Sequence, residues 1–189
     1  TQDLDGKKTS CVRPGCSLHL HAVLAIRNLG HVFASTAPGI MMGVGSMSDR
    51  LRPYGECDTF ISTDAGLSWR MVARGPHKHV FADQGGLLVM AEDAPSIEAV
   101  QYSFDYGTTW TTLALPEAIE PAVLTSVSDG TALKILLLGG RRAKTAHERY
   151  ASVFIDFAGL SKRKCTQADF ERFYPATPHG SCVFGRRQW

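Results

Sequence analysis

The apolar residues of the chain fall into short runs of strand length, and Gly, Pro, Asp and Ser separate these runs. Such punctuated runs, rich in Val, Leu, Ile and Phe, are typical of β-strands. A first group of predicted strands comprises residues 17–24, 39–45, 57–62 and 69–73. A second group comprises residues 79–83, 86–92, 98–104 and 110–115. A third comprises residues 122–128, 132–138 and 150–157. Helical spacing is nearly absent, with residues 166–173 the best candidate, so the sequence predicts an all-β protein.

A short motif occurs twice, once in each of the first two groups. Residues 62–69 and 103–110 both follow the pattern S-x-D-x-G-x-x-W, and the two copies are 41 residues apart. A repeat of this period indicates a blade-type or solenoid architecture. In both groups the motif lies between the third and the fourth predicted strand, which favours four-stranded blades.

The fixed positions of the motif suit a tight turn. Serine and aspartate oxygens accept hydrogen bonds from nearby backbone N–H groups, and glycine adopts positive φ without a steric penalty. Tryptophan begins the next strand and buries a large ring. The residues concerned are Ser62, Asp64, Gly66, Trp69, Ser103, Asp105, Gly107 and Trp110. We interpret the motif as a folding device. The alternative, paired carboxylates that act as acids or metal ligands, is disfavoured because each aspartate already has a turn to stabilise.

The three groups cannot form a closed ring alone, because propellers typically need about four to eight blades. The third group has three strands and no motif. Ring closure would leave such a gap if the last blade borrows its outer strand from elsewhere in the chain. The sequence therefore implies neighbouring blades from the same polypeptide or from another chain. The start at Thr1 and the lack of a signal peptide suggest a segment of something longer.

Composition narrows the functional classes. Apolar residues make up 44% of the chain, which is enough for a globular core. The net charge of +2 gives no reason to expect nucleic acid or a membrane surface as a partner. The basic runs at residues 141–142 and 162–164 are interpreted as solvated loops. No apolar stretch is long enough to span a bilayer, so no membrane contact is expected from this segment.

The five cysteines are Cys11, Cys16, Cys57, Cys165 and Cys182. None belongs to a CxxC pair, which disfavours zinc and thioredoxin-like sites. Their number and placement suit an oxidised, secreted or lumenal protein with a truncated disulfide framework. Buried thiols in a cytosolic protein remain the alternative.

Two histidine pairs, His19/His21 and His77/His79, alternate as strand residues do. We interpret them as polar positions of a blade or tunnel wall rather than as metal ligands. Titration at endosomal pH, with release of a bound partner, is a hypothesis for them.

Catalytic machinery is not evident in the sequence. A sialidase would need an arginine cluster, an acid and an activated nucleophile in one pocket. The chain contains residues of the required types, but they follow no recognisable sialidase motif: Arg74, Tyr106, Arg141, Arg142 and Glu148. No nucleotide-binding, hydrolase or zinc-protease motif is present. We therefore expect no enzyme activity, no cofactor and no metal.

The repeated motif is the Asp-box, or BNR repeat, of sialidases, sortilins and some other glycoside hydrolases. Other segments resemble the sortilin family specifically: residues 11–21, 37–45, 75–79, 83–89, 152–157 and 165–185. In detail they resemble the fungal vacuolar protein-sorting (carboxypeptidase Y) receptors. A cysteine that the vertebrate sortilins have within one Asp-box is absent here, since Thr109 occupies that position.

The resemblance implies an assignment for the whole chain. Residues 1–160 would be the last blades of a ten-bladed propeller, at about 11–76, 77–118 and 119–160. Residues 161–189 would begin a cysteine-rich module. The family's short disulfide loop implies a Cys11–Cys16 bond, while the partners of Cys165 and Cys182 stay open and Cys57 has none that we can name.

The function implied is that of a type I sorting receptor cycling between Golgi and endosome, with this segment in the lumen of the Golgi, endosome or vacuole. Its partners would be peptide segments of cargo proteins and the remaining blades of the receptor. Inner strands, at about 17–24 and 79–83, would line the tunnel that holds cargo. A fragment of an Asp-box glycoside hydrolase and a purely structural role are the alternatives.

Overall fold

A computed structural model describes residues 1–11, 15–21, 38–126, 130–141, 149–160, 166–169, 182–183 and 186–187. The chain divides into two compact units, Thr1–Ala158 and Gly159–Trp189. In the described part of the first unit the strands pair antiparallel, and an isolated parallel bridge joins Gln2 to Arg70, which confirms the predicted all-β class.

The first blade is a four-stranded sheet. Its strands are β1 (Ser17–Leu20), β2 (Met41–Ser48), β3 (Asp58–Ser62) and β4 (Arg70–Ala73), and they lie in sequence order. Residues 22–24 of the predicted first strand lie outside the described residues. Along β3 and β4 the register shifts between Thr59 and Phe60, which marks a bulge near the outer edge of the blade.

The second and third blades share one six-stranded sheet. Its strands are β5 (His77–Ala82), β6 (Leu87–Glu92), β7 (Ile97–Ser103), β8 (Thr111–Ser126), β9 (Lys134–Arg141) and β10 (Arg149–Asp156). They too lie in sequence order. The start of β8 pairs with β7 as the fourth strand of blade 2, and its end pairs with β9 as the first strand of blade 3. Within the described residues, blade 3 therefore has three strands, β8 to β10.

The predicted break between strands 110–115 and 122–128 was wrong, because β8 runs through it. Pro116 and Pro121 lie inside this strand, where neither can donate an N–H to the ladder. The strand accommodates both at irregularities. The β7–β8 register shifts between Ile97 and Ala99, and the β8–β9 register shifts between Pro121 and Val123. Two irregularities in the ladder thus take the place of the predicted break.

The core lies between the blades, and β6 is buried on both of its faces. Leu88 and Met90 pack with residues of blade 1, whereas Leu87, Val89 and Ala91 pack with residues of blade 3. This explains why β6 is a continuous apolar run rather than an alternating one. The residues of blade 1 that pack with Leu88 and Met90 are Ile40, Met42, Ile61 and Ala73. The residues of blade 3 that pack with Leu87, Val89 and Ala91 include Leu124, Ile135, Leu137, Val153 and Ile155.

The second unit, Gly159–Trp189, is described in small part. A single 3-10 turn covers Gln167–Asp169, and β11 (Cys182–Val183) pairs with β12 (Arg186–Arg187). Of the predicted helix at 166–173, residues 170–173 lie outside the described part of the chain. None of the helices described is long and apolar enough to cross a bilayer.

Candidate functional site

The first Asp-box turn joins β3 to β4 and is closed by its own side chains. The Ser62 hydroxyl donates to Asp64 Oδ1 at 2.8 Å and accepts the Gly66 N–H at 2.8 Å. The Ser68 N–H donates to Asp64 Oδ1 at 2.8 Å, and its hydroxyl donates to Oδ2 at 2.5 Å. Gly66 has φ of 87°, a conformation that favours glycine.

The second turn joins β7 to β8 and repeats this network. Ser103 donates to Asp105 Oδ1 at 2.7 Å and accepts the Gly107 N–H at 2.8 Å. Thr109 takes the place of Ser68, since its N–H and its hydroxyl donate to Asp105 at 2.9 and 2.7 Å. Gly107 has φ of 77°. The two motifs therefore occupy equivalent hairpins of neighbouring blades.

These hydrogen bonds also set the charge state of the aspartates. Donation by the Ser68 hydroxyl, then by the Ser68 N–H and by Ser62, lowers the pKa of Asp64 to about 2. Partial burial would raise the pKa of Asp105, but hydrogen bonds from Thr109 and Ser103 outweigh it and lower this pKa too. Both carboxylates are thus ionised and committed to backbone and hydroxyl donors, which leaves them poorly suited to acid catalysis.

The two turns differ at their tryptophans. The Trp69 indole N–H donates to the Gly66 carbonyl at 3.0 Å. In the second turn the Gly107 carbonyl instead accepts from Arg70 Nη2 at 2.9 Å. Arg70 belongs to blade 1 and follows Trp69 directly, so one motif reaches across to the next. We call this contact between Arg70 and Gly107 the inter-blade clasp.

Close packing accompanies the clasp. A Cβ added at Gly107 would lie 3.0 Å from Ile61 Cδ1 and 3.3 Å from the Trp110 ring. Gly107 is therefore needed for contact with blade 1 as well as for its positive φ. Sequence reasoning missed Arg70, although an arginine directly after the motif tryptophan, with threonine at the matching position 111, was an available signal.

The cysteines are placed as follows. Cys11 and Cys16 form a disulfide, with their Cα atoms 4.9 Å apart, just before β1. Cys57 is a free thiol, 1% exposed, whose pKa burial raises. Cys165 lies outside the described residues, and only the backbone of Cys182 is described, in β11.

The histidines do not converge. His19 Nε2 lies 3.0 Å from Ser17 Oγ, and His21 Nε2 lies 3.0 Å from the Arg52 carbonyl. His77 Nδ1 lies 3.1 Å from the Gly75 carbonyl. The ring of His79 packs edge-on against Phe81, with centroids 5.8 Å apart. Within the described ranges no group of three or more His, Cys, Asp or Glu residues could hold a metal ion.

The residues considered as candidates for a sialidase site are also dispersed. Arg74 follows β4 and faces Asp58 at 3.9 Å, Tyr106 lies in the second Asp-box turn, and Arg141 ends β9 and pairs with Glu117. Arg142 and Glu148 fall outside the residues that the structure describes. The three that can be located belong to three different blades.

The predicted inner strands are the first strands of their blades. Among the described residues β1 pairs with β2 alone and β5 with β6 alone, so each ends its sheet there. The other edge of each therefore carries backbone N–H and C=O groups that the sheet does not use. Such edges can pair with an extended peptide.

Consecutive antiparallel blades that pack face to face, with Asp-box turns between the third and fourth strands of the first two, define a segment of a β-propeller. The family model described as "Sortilin, neurotensin receptor 3" matches residues 1–124, and its C-terminal counterpart matches residues 126–189. The chain belongs to the sortilin family.

Curated relatives include the vacuolar protein sorting/targeting protein 10 of several fungi. The chain is 43% identical over its whole length to the protein of Mycosarcoma maydis. It is 43% identical to that of Laccaria bicolor over 94% of the chain, and 40% identical to that of Aspergillus flavus over 93%. It spans only 12–13% of the length of these relatives.

Proposed function

We propose that this chain is part of the lumenal, cargo-binding region of a type I sorting receptor that carries soluble hydrolases from the Golgi to endosomes or the vacuole. The observation that carries the proposal is the main-chain edge of β1 and that of β5, which pair with no strand in the described part of a chain of the sortilin family. The names of its fungal relatives, which refer to vacuolar protein sorting, support the same role.

Strand pairing at those edges supplies a direct test. The complete lumenal domain that contains this chain is immobilised, and binding of a peptide from a vacuolar hydrolase precursor is measured by surface plasmon resonance. A second peptide of identical sequence carries N-methyl groups on alternate backbone amides, which removes donors without changing side chains. We expect the methylated peptide to bind at least about tenfold more weakly. Equal affinities would contradict capture by strand pairing, and absence of binding by either peptide would contradict the receptor role.

We propose further that the chain acts by binding rather than by catalysis. Both Asp-box carboxylates are engaged by their turns, and the located sialidase candidates lie in separate blades. These contacts support a structural role for the eight Asp-box positions, and the Cys11–Cys16 loop supports a lumenal location. A sialoside hydrolysis assay with the purified lumenal domain should show no activity above the rate without protein.

The outer face of blade 3 supports the presence of further blades. Along β10 the residues alternate, and Tyr150 and Phe154 are 88% and 62% exposed. Beside them Leu138 and Ala122 line an apolar depression of about 330 Å³. Exposed apolar surface of this kind indicates a missing neighbour. We propose that another blade of the same receptor covers it, that residues 1–160 end a ten-bladed ring, and that residues 161–189 begin a cysteine-rich module with Cys165 and Cys182.

Accessibility labelling tests this arrangement. A cysteine introduced by Tyr150→Cys should react slowly with a maleimide in the complete lumenal domain and rapidly after the domain is unfolded. An exposed control, Leu67→Cys, should react rapidly in both states, because Leu67 is 89% exposed in the first Asp-box turn. Rapid labelling of Tyr150→Cys in the folded domain would contradict coverage by another blade.

A further inference from the structure

A groove of about 410 Å³ crosses the sheet of blade 2. Its lining includes His77 on β5, Glu92 on β6, Glu98 and Gln101 on β7, and Thr112 on β8. The strand register explains this set, because His77 pairs with Glu92 and Gln101 pairs with Thr112. The groove therefore belongs to a complete four-stranded blade, and ring closure is not needed to form it.

The groove carries unbalanced negative charge. Glu92 and Glu98 are exposed, and no ion pair within the described ranges involves either of them. The neighbouring Asp93, in contrast, is paired with Lys78 at 3.2 Å. Two carboxylates without a cation on one concave surface favour a positively charged ligand.

His77 is a second and independent feature of the groove. It is 7% exposed, so its side chain is almost fully buried. Its Nδ1 lies 3.1 Å from the Gly75 carbonyl and 3.1 Å from Thr59 Oγ1. The Thr59 hydroxyl already donates to the Gly75 carbonyl at 2.8 Å, and a carbonyl oxygen only accepts hydrogen bonds, so we infer that Nδ1 carries the proton and that Nε2 of the neutral ring is an acceptor. The described residues supply no donor to Nε2.

These observations define the chemistry of the ligand. Two carboxylates and one imidazole nitrogen are all acceptors, and a guanidinium or an ammonium group presents several N–H donors together with positive charge. We propose that the groove binds the basic side chain, arginine or lysine, of an extended peptide. The proposal rests on the proposed function and adds to it a second point of cargo contact, on the sheet of blade 2 rather than at the edges of β1 and β5.

The test uses the complete lumenal domain and a defined probe. The probe is the fluorescent capped pentapeptide acetyl-Ala-Ala-Arg-Ala-Ala-amide, and its neutral twin has citrulline in place of arginine. Binding is measured by fluorescence anisotropy. We expect the arginine peptide to bind and the citrulline peptide to bind about ten- to a hundredfold more weakly, the range expected when charge-assisted hydrogen bonds are lost.

Variants locate the site. The double variant Glu92→Gln/Glu98→Gln should weaken binding of the arginine peptide by the same ten- to hundredfold factor. Glu56→Gln is the matched control, because Glu56 is an exposed glutamate in a turn of blade 1, away from the groove, and should leave the affinity unchanged. Equal binding of the two peptides, or full affinity in the double variant, would overturn the proposal.

The same variants separate this site from the receptor role itself. If the double variant still binds a hydrolase precursor with full affinity, cargo capture stands and the groove is not part of it, which refutes the proposal. If the arginine peptide binds in the groove and no hydrolase precursor binds the domain, the groove stands as a basic-peptide site and the receptor role fails.

Discussion

The two Asp-box turns allow a paired prediction about their serines. Ser62 and Ser103 are 1% and 2% exposed, and both accept a glycine N–H at 2.8 Å. The acceptors of these N–H groups are removed by Ser62→Ala and Ser103→Ala. The glycines differ in burial, because Gly107 is buried against blade 1, whereas Gly66 is half-buried. Water can therefore replace the lost oxygen in the first turn more readily than in the second.

The magnitude follows from that difference. A buried donor without a partner costs about 1–3 kcal/mol, whereas a hydrogen bond exchanged for one to water costs about 0.5–1.5 kcal/mol. Ser103 also donates to Asp105 at 2.7 Å, a charge-assisted bond that alanine cannot make. We expect Ser103→Ala to lower the free energy of unfolding by about 2–3 kcal/mol and Ser62→Ala by about 1 kcal/mol.

Two measurements check this expectation. Urea unfolding of the lumenal domain is followed by tryptophan fluorescence, since Trp69 and Trp110 lie in the turns themselves. Hydrogen exchange of the segment 103–110 reports local opening, and about 2 kcal/mol corresponds to roughly thirtyfold faster exchange. Ser152→Ala, at an exposed position of β10, is the control and should stay within about 0.5 kcal/mol of the parent. If Ser103→Ala destabilised no more than Ser62→Ala, the argument from burial of Gly107 would be wrong.

Three further predictions concern the clasp and pH. Arg70→Met should lower the free energy of unfolding, measured by urea denaturation, by about 1.5–3 kcal/mol, because it removes a charged donor from the Gly107 carbonyl. The control Arg74→Met alters an exposed guanidinium and should change this free energy by less than about 0.5 kcal/mol. The pKa of Asp64, about 2, lies below the ordinary value of 3.8. The ionised carboxylate therefore contributes fully to stability above pH 3.8, and this contribution is lost as the pH falls towards 2. The acid-unfolding curve of Asp64→Asn should lack this loss. Burial lowers the pKa of His77 below its ordinary value of 6.5, so the unfolded chain binds this proton at a higher pH than the folded chain does. The free energy of unfolding should therefore fall as the pH drops below 6.5. In His77→Gln the free energy of unfolding, measured between about pH 7 and pH 5, should depend less on pH.

The sequence was informative where local chemistry decides the structure. The two S-x-D-x-G-x-x-W segments predicted hairpins in neighbouring blades, and the structure has them at β3–β4 and β7–β8. The continuous apolar run of residues 87–91 indicated a strand, and β6 is buried on both faces. These features depend on turn residues and on burial, both of which leave a direct trace in the order of amino acids.

The remaining features depend on contacts between blades, which no local pattern encodes. Pro116 and Pro121 normally interrupt a strand, so a continuous β8 could not be foreseen until bulges showed how the ladder avoids both residues. Arg70 reaches Gly107 only because the blades stack at the spacing that the core between β3 and β6 sets. The groove on blade 2 was missed for the same reason. His77, Glu92 and Glu98 are scattered along the sequence and meet only through the strand register.

The continuity of β8 also determines how strongly blades 2 and 3 are coupled. A flexible connection would let neighbouring blades open one at a time, but a strand hydrogen-bonded to β7 at one end and to β9 at the other ties their motions together. Blades 2 and 3 should consequently unfold as one cooperative unit, whereas blade 1 is held to them by side-chain packing, by the inter-blade clasp and by the short turn at residues 74–76 rather than by a shared strand. A destabilising substitution near residue 120 should then affect blades 2 and 3 together, whereas blades 1 and 2 should separate first at residue 75.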